Sequence, residues 1–155
     1  MPATVTSRVI GLDAVALFDR VTALANHERL IPLTRVHAPH RRPRVGDRVV
    51  ATSAGVLRDV MLLTQYERPD GVADPRSAVA GVGRAVYRKL GPVLLGRAEI
   101  VVTALGPATA RVDWTEDVRL VDPWRPAEAI VCPLLAVMTA RALRLLAEAT
   151  DGERG

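Results

Sequence analysis

Residues 108–119 read ATARVDWTEDVR, and their alternation decides how the rest of the chain is understood. In an extended strand Val112, Trp114, Glu116 and Val118 fall on one side, and Asp113, Thr115, Asp117 and Arg119 on the other. Successive strand side chains point to opposite faces, so one face meets a core and the other meets water. From about residue 127 to 149 the sequence AEAIVCPLLAVMTARALRLLAEA changes to helical spacing. Its expected apolar stripe is Ile130, Leu134, Leu135, Met138, Ala142, Leu145 and Leu146. Pro133 either opens this helix in its first turn or kinks it. Residues 150–155 are expected to fray.

Upstream of residue 108 the β pattern continues. Strands are expected over 34–38, 47–54, 57–67, 82–90 and 94–105. Gly55, Gly91-Pro92 and Gly106-Pro107 supply the turns between neighbours. Residues 39–46 and 68–80 are rich in Pro, Gly, Asp and Arg and read as loops. At the beginning, 3–10 is a strand. Asp13 stands where a helix N-cap belongs, and Leu17, Phe18, Val21 and Leu24 make 14–25 an amphipathic helix. A short turn, 27–31, stops before Pro32. The order is strand, two helices, six strands, long helix. This is an α+β pattern: a curved antiparallel sheet of about seven strands needs a cover, and only the last helix is long and apolar enough. The gap between sheet and helix is the expected pocket.

With 155 residues, 49% of them hydrophobic, the chain is sized for one domain and one core over 1–155. The net charge is +4, and every basic residue except Lys89 is an arginine. These arginines are spread along the chain, as a GC-rich coding sequence would scatter them. The one tight group is Arg41, Arg42 and Arg44, beside Pro39 and Pro43. With only 3% aromatic residues no stacking platform for nucleic acid is expected. A single cysteine, Cys132, excludes an internal disulfide and suits a cytoplasmic protein. Met1 to Arg8 lack an apolar signal core, and no stretch is expected to span a membrane.

Motif by motif, most chemistry is unsupported. His37 and His40 share zinc-like spacing, but Pro39, Arg41 and Arg42 oppose a cation site, so no metal is expected. His27 reads as a surface residue or local cap. Gly81-Val-Gly83 begins like a dinucleotide fingerprint but lacks the third glycine and leads into a strand. Cys132 sits among apolar neighbours and is expected to be inert.

The order and spacing of several segments resemble the SRPBCC superfamily, which includes START domains, Bet v 1-like proteins and polyketide cyclases/dehydrases. Residues 13–36 (DAVALFDRVTALANHERLIPLTRV) resemble its opening helix pair and second strand, notably in actinobacterial members. VGDRVVATSA at 45–54, RKLGPVLLGRAEIVVTAL at 88–105 and GPATARVDWTE at 106–116 resemble later strands and hairpins. Leu30 stands where many relatives carry a bulky aromatic, and Pro133 interrupts the last helix. The resemblance implies a helix-grip fold and a hydrophobic pocket, without fixing an activity.

The leading expectation is binding of a hydrophobic small molecule, lipid or polyketide-like, between the sheet and the C-terminal helix. Val36, Tyr66, Val86, Tyr87, Ile100, Val102, Trp114, Glu116, Leu134, Met138 and Arg141 are the candidate lining residues. Glu116 is the best candidate for catalysis, and its simpler reading is an ion pair with an arginine such as Arg141. Alternatives are a polyketide cyclase or dehydrase that uses a cavity carboxylate, and an interaction protein that docks through the Arg41–Arg44 loop. No cofactor is expected, and the chain reads as a monomer or homodimer.

Overall fold

The computed structural model describes residues 3–24, 27–31, 33–55, 57–69 and 81–153. Seven strands and three helices follow the expected order. They are β1 (Thr4–Ile10), α1 (Ala14–Thr22), α2 (His27–Leu30), β2 (Thr34–His37), β3 (Arg48–Ser53), β4 (Leu57–Glu67), β5 (Val82–Pro92), β6 (Leu94–Gly106), β7 (Thr109–Leu120) and α3 (Glu128–Gly152). The strands form one sheet in the order β1-β7-β6-β5-β4-β3-β2, with every neighbouring pair antiparallel. The sheet is curled into a half-barrel with the long C-terminal helix beside it, a helix-grip architecture. Most of the expected 68–80 loop lies outside the described residues, as do Val56 in the β3–β4 turn, Asn26 and the side chain of Leu30.

Local chemistry explains the elements. The Asp13 carboxylate accepts the Ala16 N–H at 2.9 Å and caps α1. The buried side of α1 carries Ala14, Leu17, Phe18, Val21 and Thr22. It sits over β5, β6 and β7. Gly83 permits this close approach, because a Cβ there would lie 2.7 Å from Phe18 and Pro69. Gly96 adopts φ +126° and would drive a Cβ to within 2.1 Å of the Asp117 carbonyl oxygen, so only glycine fits between β6 and β7 there. Gly81-Val-Gly83 leads into β5, as its sequence suggests.

The last helix begins at Glu128, close to the expected start, with Pro133 inside it, one of the two expected arrangements; it runs to Gly152, past the expected end at 149. Its packing partners are β1, β7 and α2, rather than the full width of the sheet. The buried face is Cys132, Thr139, Ala142, Leu143, Leu146, Ala147 and Thr150. Ile130 and Leu134, placed in the expected stripe, are 73% and 53% exposed. Between 129 and 138 nearly every residue is apolar, so periodicity had no polar face from which to orient the helix. By length and composition alone, the stretch Arg125–Gly152 is apolar enough to cross a membrane, which corrects the expectation that no segment is. Core helices of soluble proteins pass the same test.

Candidate functional site

The curl of the sheet leaves a cavity of about 470 Å³. It lies between the C-terminal end of α1, the 38–47 loop and strands β3–β5, and not under α3 as expected. Its buried floor is Val49, Leu63 and Tyr87, with Tyr66 alongside. Thr22 and Leu24 close one wall. Pro39, His40, Arg41 and Arg42 form an exposed rim. The volume is ordinary for a small-molecule site, and the floor is apolar apart from two phenol groups.

Those two phenols define the site. Tyr87 projects inward from β5 with Gly83, Ala85 and Lys89, as strand parity requires. Tyr66 reaches the same face because β4 shifts register between Leu63 and Gln65. Its ring packs on Phe18, with centroids 5.3 Å apart. Both hydroxyls are buried and neither has a hydrogen-bond partner. Burial, reinforced by Tyr66 and Asp47, holds the Tyr87 phenol well above its ordinary range, so it remains protonated and can donate.

The other end of the concave face is closed by charge. Lys89 Nζ lies 2.6 Å from Asp59 Oδ2, 3.7 Å from Glu116 Oε2 and 3.8 Å from Met61 Sδ. Trp114 Nε1 donates to Glu116 Oε1 at 3.0 Å. Lys89 and Glu116 stand on β5 and β7, two strands apart, and their ladder partners on the intervening β6 are Gly96 and Ala98. Those small residues leave the ammonium room to reach across. Burial opposes the charge on Lys89, but Glu116 and Asp59 outweigh it and hold the ammonium above the ordinary lysine range. Burial pushes the Glu116 carboxyl upward against the pull of Lys89. Asp59 Oδ1 and Glu116 Oε2 remain without hydrogen-bond partners.

Among the expected lining residues, the structure brings Tyr66 and Tyr87 to the cavity wall and places the others elsewhere. Ile100, Val102 and Trp114 are fully packed core, and Val36 packs against that core. Val86 is on the opposite face of β5 from Tyr87, since neighbouring residues of one strand cannot share a face. Leu134 and Arg141 are exposed on α3, and Met138 is half-buried there. Glu116 does face inward with Trp114, but it pairs with Lys89 rather than Arg141 and stands off the cavity wall. His27 corrects the surface reading: it is buried, donates from Nε2 to the Val21 carbonyl at 2.9 Å and lies 5.4 Å from the Trp114 ring. Burial lowers its pKa, which keeps the ring neutral. Lys89 was missed, although it shares the parity of Tyr87 and is the sole lysine in an arginine-rich chain. Burial pushes the Cys132 thiol upward, as an inert cysteine requires. Among the described residues no cluster of three or more His, Cys, Asp or Glu side chains could hold a metal.

Neither a protein-family profile nor a curated protein sequence matches the chain. Solved structures do. A hypothetical protein from Helicobacter pylori superposes with a TM-score of 0.74 at 13% identity, covering 96% of this chain and 88% of that one. A START superfamily protein from Mycobacterium smegmatis gives 0.61 at 12% identity, covering 97% and 95%. The Zhui aromatase/cyclase of a Streptomyces species gives 0.63 at 12% identity, covering 95% and 93%. The topology and these superpositions agree: the chain has the helix-grip fold found in START-superfamily and aromatase/cyclase proteins.

Proposed function

We propose that the protein binds a small, mainly apolar molecule in the cavity between α1, the 38–47 loop and strands β3–β5. The Tyr66 and Tyr87 hydroxyls meet a polar oxygen on that molecule. The observation that carries this reading is the pair of buried, unpartnered hydroxyls on residues that line a hollow of about 470 Å³. A buried polar group without a partner costs about 1–3 kcal/mol, a cost that a guest oxygen offsets. The apolar floor stabilises the guest by roughly 25 cal/mol per Å² removed from water. The START-superfamily and aromatase/cyclase neighbours support a hollow of this kind in this fold.

A cyclase or dehydrase reading draws on the aromatase/cyclase neighbour. Its chemistry would start from Tyr66 and Tyr87, because Glu116 is engaged by Trp114 and Lys89 away from the cavity. A phenol held protonated acts as a donor that polarises a carbonyl, not as a base.

Calorimetric titration with a naphthol and with naphthalene tests the binding reading. Naphthol is expected to bind about tenfold more tightly, the equivalent of one net hydrogen bond. The preference should vanish in Tyr66→Phe/Tyr87→Phe while naphthalene binding persists. Equal affinity for the two compounds in the unsubstituted protein would remove the tyrosines from the role.

A further inference from the structure

The basic loop singled out in the sequence turns out to be the rim of the cavity. Arg41 is committed there: its guanidinium grips the Asp47 carboxylate at 2.7 and 3.0 Å. The Arg44 N–H donates to the same carboxylate at 2.9 Å, and Asp47 N–H returns to the Arg44 carbonyl at 3.0 Å. Gly46 N–H donates to the Leu63 carbonyl at 2.8 Å, which ties the loop to β4. These bonds, led by Arg41, hold the Asp47 carboxyl below the usual carboxylate range. The other acid on the wall, Asp19, is gripped by Arg68 at 2.6 and 3.0 Å. Both acids are thus neutralised, while the Arg42 guanidinium has no ion-pair partner among the described residues. A loop fixed at its base holds this unpaired cation at the mouth of an apolar hollow, with His40 beside it.

We infer that the ligand is amphipathic and anionic: an apolar body in the hollow, an oxygen towards the tyrosines, and a carboxylate or phosphate at the rim against Arg42. This rests on the binding reading above and adds the charge and orientation of the guest. An exposed charge pair held by a pre-arranged loop tightens binding modestly, about two- to fivefold at low salt.

The test compares a naphthol with a hydroxynaphthoate whose carboxylate is at the opposite end of the ring pair from its hydroxyl. The carboxylate is expected to tighten binding about two- to fivefold, and added salt is expected to shrink that gain. Arg42→Gln should abolish the gain, so that the hydroxynaphthoate and naphthol bind equally well in that variant. Arg42→Glu should make the hydroxynaphthoate the weaker ligand. A gain that survives in Arg42→Gln, or no gain in the unsubstituted protein, overturns the anionic assignment while the binding reading stands. If naphthol itself fails to bind, the binding reading and the assignment fall together.

Discussion

The concave face of the sheet ends in two different ways. At one end Tyr66 and Tyr87 leave two hydroxyls unpaired beside an open volume. At the other, Lys89 draws in carboxylates from β4 and β7, and all three side chains are largely buried. The same strand supplies both, since Tyr87 and Lys89 are two residues apart on β5. One strand thus carries an ammonium shared by two carboxylates and, two residues away, a phenol without a hydrogen-bond partner. On the reading proposed above, the buried charge serves the architecture and the neutral hydroxyls serve recognition.

Breaking the charge cluster gives the largest effect. Lys89→Met leaves two buried carboxylates without their cation and should cost about 3–5 kcal/mol in urea unfolding. Adding Asp59→Asn and Glu116→Gln to that variant should recover much of the loss, because the stranded charges are then gone. A small loss in the single variant would mean that the cluster does not hold the fold.

Acidity comes next, at two buried groups on either side of Trp114. Glu116 has a folded pKa above its ordinary value of 4.5, so the folded state favours its protonated form. Its contribution to stability is therefore greatest below pH 4.5 and declines as pH rises through the folded value. Glu116→Gln should flatten that decline in urea midpoints measured against pH. His27 acts in the opposite sense: its folded pKa lies below 6.5, so stability is full above that pH and is lost as pH falls. His27→Gln should remove this acid-side loss.

At the open end the expected change is smaller and reversed in sign. Tyr87→Phe deletes an unpaired buried hydroxyl and should raise stability by about 1 kcal/mol while weakening naphthol binding. A thermal melt and a titration on the same sample read both effects. Loss of stability instead would show that the hydroxyl is satisfied in the empty protein. Smallest of all, Arg144→Ala on the exposed side of α3 removes a pair to Glu148 at 3.7 Å and should change urea stability by less than about 0.5 kcal/mol.

The strands were legible in the sequence because period-two alternation fixes which residues share a face, as Val112, Trp114, Glu116 and Val118 show. Val86 and Tyr87 could not both point inward, and parity alone decides between them once Ala85 is known to be buried. Tyr66 is a different case: a register shift in β4 re-aims it, and no composition signal marks where such a shift falls. The position of α3 was illegible for another reason. From 129 to 138 it is apolar on every side, so the buried face is set by contact with β1 and β7 and not by its own pattern. The sequence consequently points to a hollow beneath α3, whereas the cavity lies at the C-terminal end of α1. Lys89 carried a signal of rarity and parity together, which only a charge-by-charge reading of β5 would have found.

The charge cluster has a chemical consequence outside the fold. The chain's one lysine is 6% exposed, so the folded protein offers almost no side-chain amine at its surface. Enzymes that acylate or tag lysines, and amine-directed dyes alike, reach Lys89 only when the sheet opens. The rate at which that nitrogen is labelled therefore reports the opening of the half-barrel, with no reporter residue engineered into the protein.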